Sequence, residues 1–445
     1  MLKKILFLIS GIFLFLTGYS QDTVHKFKID LSIRERFELW NGMNAKNYGD
    51  DDQDAIGKLN DKILYQRVIL GATYKPVKGL TIAIHIQDSR AFGWSLRNSK
   101  YPDLFKNHPP DTLNPYYTMN PNEEFFVIYD AFIEYQKLFK YFTIKLGRQK
   151  LFYGDYRIFG PGDWGNSGRW TWDALKISYA RKGNFIDLFA GGTKINDPDK
   201  ITIPFTQTEF WGGGLYVHWN LFKYINAEPF FVYKMQGSAG YINEQHISRH
   251  WLGLRLVNND LFHFVYDFLY THEFGRGNDK NINAYGYFTK IGYQFHFIPM
   301  KPLLSVRESY ASGGKKSDDV IHTFDPAYGA GDKFYGWMNI TTWSNLNDPE
   351  IVLELFPVKG LWIELKYNWF FIPASDDAVL LNTMKLHPGK HHLGNELDIF
   401  TRYDITKHWQ VTGAFGWFQP GDLIPINNQP AKAATWFALQ VLFIY

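Results

Sequence analysis

The 445-residue chain has no cysteine. That removes disulfide scaffolds, thiolate-bound zinc, iron–sulfur clusters and cysteine nucleophiles together. Nor does one sign of charge dominate. Lys and Arg number 47 against 44 Asp and Glu, a formal +3 that drops to +1 without Lys3 and Lys4, so no global field for nucleic acid arises. Long apolar runs are missing beyond residue 20, where every such stretch is interrupted within roughly ten residues, short of the ~18 that a membrane helix needs. There is no Gly-x-Ser-x-Gly elbow, no His-Glu-x-x-His pair and no phosphate loop, so neither an enzyme motif nor a cofactor is indicated.

The first twenty residues have the layout of a secretory leader. Lys3 and Lys4 form its basic end, Ile5 to Thr17 its short apolar stretch, and Gly18-Tyr19-Ser20 the small residues of a cleavage site near Ser20. Residues 21–445 are then one exported unit, and with no cysteine after the cut a lipid anchor is excluded. Residence in a membrane would require strands.

Aromatics make up 18% of the chain and charged residues 20%, a combination that calls for two solvents on two faces. The period is two. Phe27, Ile29, Leu31, Ile33, Phe37 and Leu39 alternate with Lys28, Asp30, Ser32, Arg34, Arg36 and Glu38; Glu35 interrupts the apolar set and marks a possible bulge. The last segment places Phe437, Leu439, Val441, Phe443 and Tyr445 on one face. About eighteen such segments run from residues 24–40 to 432–445. Between them, short connections such as Pro76-Val77-Lys78-Gly79, Asn258-Asn259 and Pro357-Val358-Lys359-Gly360 alternate strictly with long ones of about seven to nearly forty residues. This predicts an all-β, transmembrane antiparallel barrel of about 18 strands, with short turns and both termini periplasmic. Phe334 to Trp343 could form a further strand, but counting it would break the even number, so it is assigned to a loop able to fold inward. The mature chain is too short for a plug domain and twenty-two strands.

The stretch Leu146-Gly147-Arg148-Gln149-Lys150-Leu151-Phe152-Tyr153-Gly154-Asp155-Tyr156-Arg157, with Trp164-Gly165-Asn166 and Arg169-Trp170-Thr171-Trp172-Asp173-Ala174, resembles the signature of the alginate export family of outer-membrane channels. Arg34-Glu35-Arg36-Phe37-Glu38, Gln66-Arg67-Val68 and Ile86-Gln87-Asp88-Ser89-Arg90 are similar to that family too. The resemblance implies a monomeric eighteen-stranded barrel in the outer membrane, surrounded by lipid and lipopolysaccharide. Its charged lumen would pass anionic polysaccharide or another small solute without energy input.

Candidate pore-lining residues follow from the cost of charge in lipid, about 2–4 kcal/mol at mid-depth. Arg34, Arg36 and Arg67 should turn inward as a ladder, with Arg255, Arg307 and Arg402 as further mid-strand arginines; each could take a carboxylate bidentately or pair with Glu38, Asp130, Glu134 or Asp267. Where the resemblance is strongest, Arg148, Arg157 and Arg169 bracket Gly160-Pro161-Gly162-Asp163 and are assigned a pore-lining or loop-fixing role. The acidic run Asp50-Asp51-Asp52-Gln53-Asp54 with Asp61 departs from a calcium loop at Ala55 and Asp61, and suits a solvated loop better. His387, His391 and His392 cluster in another outer loop, where histidines are more often exposed than ligating, and no metal is assigned.

Two further readings stand beside the anionic channel: a general diffusion porin, and a barrel enzyme or adhesin acting through its outer loops. The terminal aromatic gives the first test. Tyr445 should present the last strand to the barrel assembly machinery, so Tyr445→Ser should lower the heat-modifiable barrel recovered from outer membranes; normal levels would refute that role.

Overall fold

The computed structural model describes residues 26–44, 47–48, 58–95, 106–107, 116–117, 122–196, 201–237, 247–331, 333–378, 386–424 and 432–445. The leader, its cleavage site and the run Asp50 to Asp54 lie outside them. Eighteen long strands form the wall. They are β1 (Lys26–Asn41), β2 (Lys62–Lys75), β3 (Leu80–Phe92), β4 (Glu124–Leu138), β5 (Phe142–Lys150), β6 (Thr171–Arg181), β7 (Asn184–Thr193), β8 (Phe210–Phe222) and β9 (Ile225–Gln236). They continue as β10 (Ser248–Leu261), β11 (Phe264–Gly277), β12 (Lys280–Gln294), β13 (Leu303–Ala311), β14 (Leu346–Leu355), β15 (Leu361–Phe371), β16 (His392–Asp404), β17 (Trp409–Pro420) and β18 (Ala434–Ile444).

Each strand pairs antiparallel with the next, and β1 pairs with both β2 and β18, so the sheet closes on itself. Closure removes the unpaired edge that lipid could not hydrogen-bond. Alternation then sorts side chains between the two sides. On β3, Ile82, Ile84 and Ile86 are exposed on the outer surface while Ala83, Gln87 and Ser89 are buried inside. On β18 the exposed set is Phe437, Leu439 and Val441, and the inner set is Trp436, Ala438 and Gln440. The packed core therefore lies within the barrel, where Tyr153, Phe159, Tyr328, Tyr335, Trp337 and Trp343 from two connections, residues 151–170 and 312–345, fill the lumen. The inward course expected for Phe334 to Trp343 is observed.

Three local expectations change. Glu35 makes no bulge: the register runs unbroken through Glu35↔Gln66 and Glu35↔Val441, and Gln66 Nε2 donates to Glu35 Oε1 at 2.7 Å, so a neighbouring amide satisfies the outward carboxylate. The β10–β11 turn lies at Phe262–His263 rather than Asn258-Asn259, because ladder pairing continues through Asn258↔Tyr266 to Leu261↔Phe264. The alternation of connection lengths is not strict either. β11 and β12 continue to Gly277↔Lys280 and are joined by Asn278-Asp279 alone, with φ of 48° and 63°, the pair of left-handed residues that closes a two-residue hairpin.

If the long connections face outward, trypsin on intact cells should cut within Gly313 to Ser317, where Lys315 and Lys316 are exposed, and spare Lys78 and Lys359 at the opposite rim. Cleavage at both of those turns in sealed cells would reverse the orientation.

Candidate functional site

A loop drawn into a barrel takes its backbone polar groups away from bulk water, and each must find a partner. The wall supplies them. Even-numbered residues of β1 point inward, which brings Arg34 and Arg36 against residues 163–166. Arg34 Nη1 donates to the Asp163 carbonyl at 2.8 Å, and Nη2 donates to the Gly165 carbonyl at 2.9 Å and to Asn166 Oδ1 at 3.1 Å. Arg36 donates from Nη1 to the Trp164 carbonyl, forms an ion pair with Glu38 whose Nε–Oε1 distance is 2.7 Å, and lies 4.3 Å from the Trp164 ring and 4.9 Å from that of Tyr65. Glu38 also accepts the indole N–H groups of Trp40 and Trp436.

Asn166 completes the latch. Its amide nitrogen contacts the carbonyls of Gln66, Arg90 and Asn122 at 3.1, 3.0 and 2.9 Å, while its own carbonyl accepts from Ser89 Oγ and that of Ser167 from Gln87 Nε2, both at 2.9 Å. The family-like segments around residues 34–38, 66–68, 86–90 and 164–166 thus meet at one place. Asn166 was not among the predicted site residues. Its presence in the quoted motif was the available signal, but an uncharged side chain gives no sign in sequence of joining three strands.

Arg67 and Lys150 stand at the edge of this cluster. Arg67 makes only a long 3.5 Å contact to the Asp163 carbonyl, and Lys150 Nζ lies 2.8 Å from Asp163 Oδ1 and 4.4 Å from the Tyr129 ring. Partial desolvation opposes ionisation of Asp163, but Lys150, Arg67 and Arg34 outweigh it and hold this carboxyl below its ordinary 3.8.

The second inward connection packs against the first. Gly160 N–H donates to the Tyr328 carbonyl at 2.9 Å, Tyr328 N–H to the Ile158 carbonyl at 3.1 Å, and Ala330 N–H to the Tyr156 carbonyl at 3.0 Å. Acidic wall residues accept its N–H groups: Met338 donates to Glu396 Oε1 at 2.9 Å and Trp337 to Asp398 Oδ2 at 3.2 Å. Gly336, with φ of 76°, passes so close to Glu396 that a Cβ would lie 2.4 Å from its carboxylate oxygen. Carbonyls are thus held by cations and N–H groups by carboxylates.

The other predicted residues are dispersed. Arg157 rides inward on the first loop, pairs with Asp155 at 2.8 Å, reaches Ser309 and stacks 3.7 Å from the Phe288 ring, which is a loop-fixing position. Arg169 pairs with Glu209 at 3.4 Å over the Trp170 ring. Arg307 is engaged by Glu354 at 2.6 Å, as Arg255 is by Asp267 at 2.6 Å and Glu228 at 2.7 Å. Arg402 is the exposed one, 3.7 Å from Asp404 near the short-turn rim. Arg148 does not line the lumen. Its register with Asp173 puts both on the outward side with Leu146 and Leu175, where they form a bidentate pair of 2.7 and 2.9 Å buried beneath Thr202 and Phe205. Sequence alternation cannot reveal that a connection doubles back over the outer wall. Asp61, from the acidic run, is buried and accepts from the hydroxyl and N–H of Ser95. Among the described residues no cluster of three or more His, Asp or Glu could hold a metal.

A model of the alginate export family matches residues 26–437. The chain belongs to that family. Its fold is shared with solved outer-membrane proteins: OccAB2 from Acinetobacter baumannii (10% identity, 94% of this chain and 98% of that one, TM-score 0.59), a BenF-like porin from Pseudomonas fluorescens Pf-5 (10%, 94% and 98%, 0.58), and Pseudomonas aeruginosa OccK2 (OpdF), solved in complex with glucuronate (10%, 95% and 99%, 0.56). No curated protein matches. Family and fold make this member of the alginate export family a passive channel of the bacterial outer membrane.

The latch predicts a conductance phenotype. Asn166→Ala removes the two amide N–H donors shared among the carbonyls of Gln66, Arg90 and Asn122, at about 1–3 kcal/mol per group deprived of a partner. The loop should loosen and single-channel conductance rise while the barrel stays folded; unchanged conductance would discard the latch. Because Asp163 has a depressed pKa, its contribution to holding the loop is complete above the ordinary 3.8 and lost as pH falls below it through the lowered value. Acidification below 3.8 should therefore move wild-type conductance towards that of the variant.

Proposed function

We propose that the channel carries anionic polysaccharide of the alginate type, or other anionic solutes, down their gradient. One observation supports this above others. Around the first inward loop four cations, Arg34, Arg36, Arg67 and Lys150, meet two carboxylates, Glu38 and Asp163. Arg34 and Arg36 are spent on the loop; Arg67 makes only a long contact and Lys150 shares its charge with the exposed carboxylate of Asp163, so these two are the cations of the cluster that a solute can reach. Arginine offers a carboxylate a two-pronged donor, and lysine a point charge. The relative solved with glucuronate is consistent with acidic-sugar passage on this fold. In the same reading the chain is inserted by the assembly machinery, acts as a monomer and keeps its short turns on the periplasmic side.

A second reading, a general porin with a transverse field, draws on another part of the wall. Asp348 and Glu350 on β14, Glu364 on β15, and Glu396 and Asp398 on β16 are buried around Lys366, while elsewhere lumenal charges are paired, as in Lys176 with Asp187 at 3.2 Å.

Reversal potential in a salt gradient separates the two. Arg67→Gln with Lys150→Gln removes charge and deprives Asp163 of its ion pair, while the Arg34 donors to the Asp163 and Gly165 carbonyls remain, so selectivity rather than conductance is the readout. A close charge pair is worth on the order of 1–4 kcal/mol between bulk water and a partly desolvated site. The double variant should move towards cation selectivity with its folded barrel intact. An unchanged reversal potential would favour the general porin.

A further inference from the structure

Arg402 is the exposed one among the predicted arginines, and it lies beside a cavity. Between the β12–β13 and β14–β15 turns and the end of β16 there is a space of ≈ 750 Å³ whose lining includes Lys301, Glu354, Lys359, Trp362, Arg402 and Asp404. Small-ligand pockets span roughly 300–1,000 Å³. Trp362 and Arg402 are register partners on β15 and β16, on the inward side, with the guanidinium 5.6 Å from the indole ring. The indole is fixed in place: its N–H donates to Glu354 Oε2 at 3.2 Å, while Arg307 holds the other oxygen at 2.6 Å. Glu354 is thereby engaged within the wall and does not offset the cations of the cavity.

The remaining charge is unbalanced. Lys301, Lys359 and Arg402 are exposed, and only Asp404 opposes them, 3.7 Å from Arg402 with both side chains about half exposed. An ion pair in that setting holds weakly, so the guanidinium fork can exchange partners. A flat aromatic plate beside loosely held cations suits a ligand with an apolar ring face and a carboxylate on its rim. A simple inorganic anion would use the cations and gain nothing from the indole. A pyranose bearing a carboxylate would use both, its C–H face on Trp362 and its carboxylate on Arg402 with a lysine in reach.

We infer that the short-turn mouth holds a uronate subsite built from Trp362 and Arg402, with Lys301 and Lys359 at its rim. The inference rests on the anionic reading above and places the first or last sugar contact at this rim, away from Arg67 and Lys150.

Planar-bilayer recordings with a uronate trimer test it, using the neutral sugar trimer as control. Since the chain has no cysteine, Lys78→Cys and an impermeant thiol reagent identify the short-turn side. Wild-type current should be blocked by the uronate trimer and not by the neutral one. Arg402→Gln should raise the half-blocking concentration from the short-turn side about tenfold, as loss of a charge-assisted hydrogen bond does, and Trp362→Ala, which removes the stacking face, should raise it as well. Arg402→Lys and Trp362→Phe should recover part of it, and equilibrium binding by the detergent-solubilised, heat-modifiable barrel should weaken in the same order. Equal block of wild type and both variants would overturn the subsite and leave the anionic channel standing. Absence of block in wild type from either side, together with an unchanged reversal potential in Arg67→Gln/Lys150→Gln, would remove both.

Discussion

Everything in the lumen depends on how a folded-in loop satisfies its backbone. Residues 163–166 expose successive carbonyls to a space that excludes bulk water, and Arg34, Arg36 and Ser89 answer them with fixed donors. A guanidinium serves well here because its several N–H groups spread over adjacent carbonyls while its charge is shared with Glu38 and two aromatic rings. The arginines expected to meet solute are thus largely structural. They decide where the loop lies, and the loop decides which cations remain accessible.

The opposite polarity governs the second connection. Its N–H groups at Trp337 and Met338 end on Asp398 and Glu396, and Lys366 Nζ returns a hydrogen bond to the Lys333 carbonyl. The two connections meet through Ile158, Gly160 and Tyr328 and stack their aromatics in the centre. A packed core normally lies where water is absent. Here the outside is lipid and carries scattered apolar side chains, so the jigsaw packing has moved inside and is made mostly by loops.

How much was legible follows from which interactions are local. Strand positions were, because inward and outward neighbours face different media and the dyad pattern records that at every second residue; most boundaries fall within a few residues of the expected ones. Where the pattern was overridden, a ladder or a side-chain partner did it. Gln66 satisfies Glu35, pairing that resumes at Leu261↔Phe264 after a register shift carries β10 past Asn258-Asn259, and two left-handed residues close β11 onto β12. Arg148 was misplaced because its cover, Thr202 and Phe205, comes from more than fifty residues later in the chain.

By itself the sequence determined the class of solvent on each side of the wall, and with it the barrel, the number of long strands and the side to which most arginines turn. Burying a charge in lipid costs more than any local preference can offset, so alternation alone suffices for that much. Tertiary structure decided what those arginines do. Whether Arg34 meets a sugar or a carbonyl depends on where residues 163–166 come to rest, some 130 positions away. Arg402 differs from Arg34 because the partner beside it, Asp404, is about as exposed as Arg402 itself. A residue's charge is written in the sequence, but its partner is chosen by chain paths that meet only after the barrel closes.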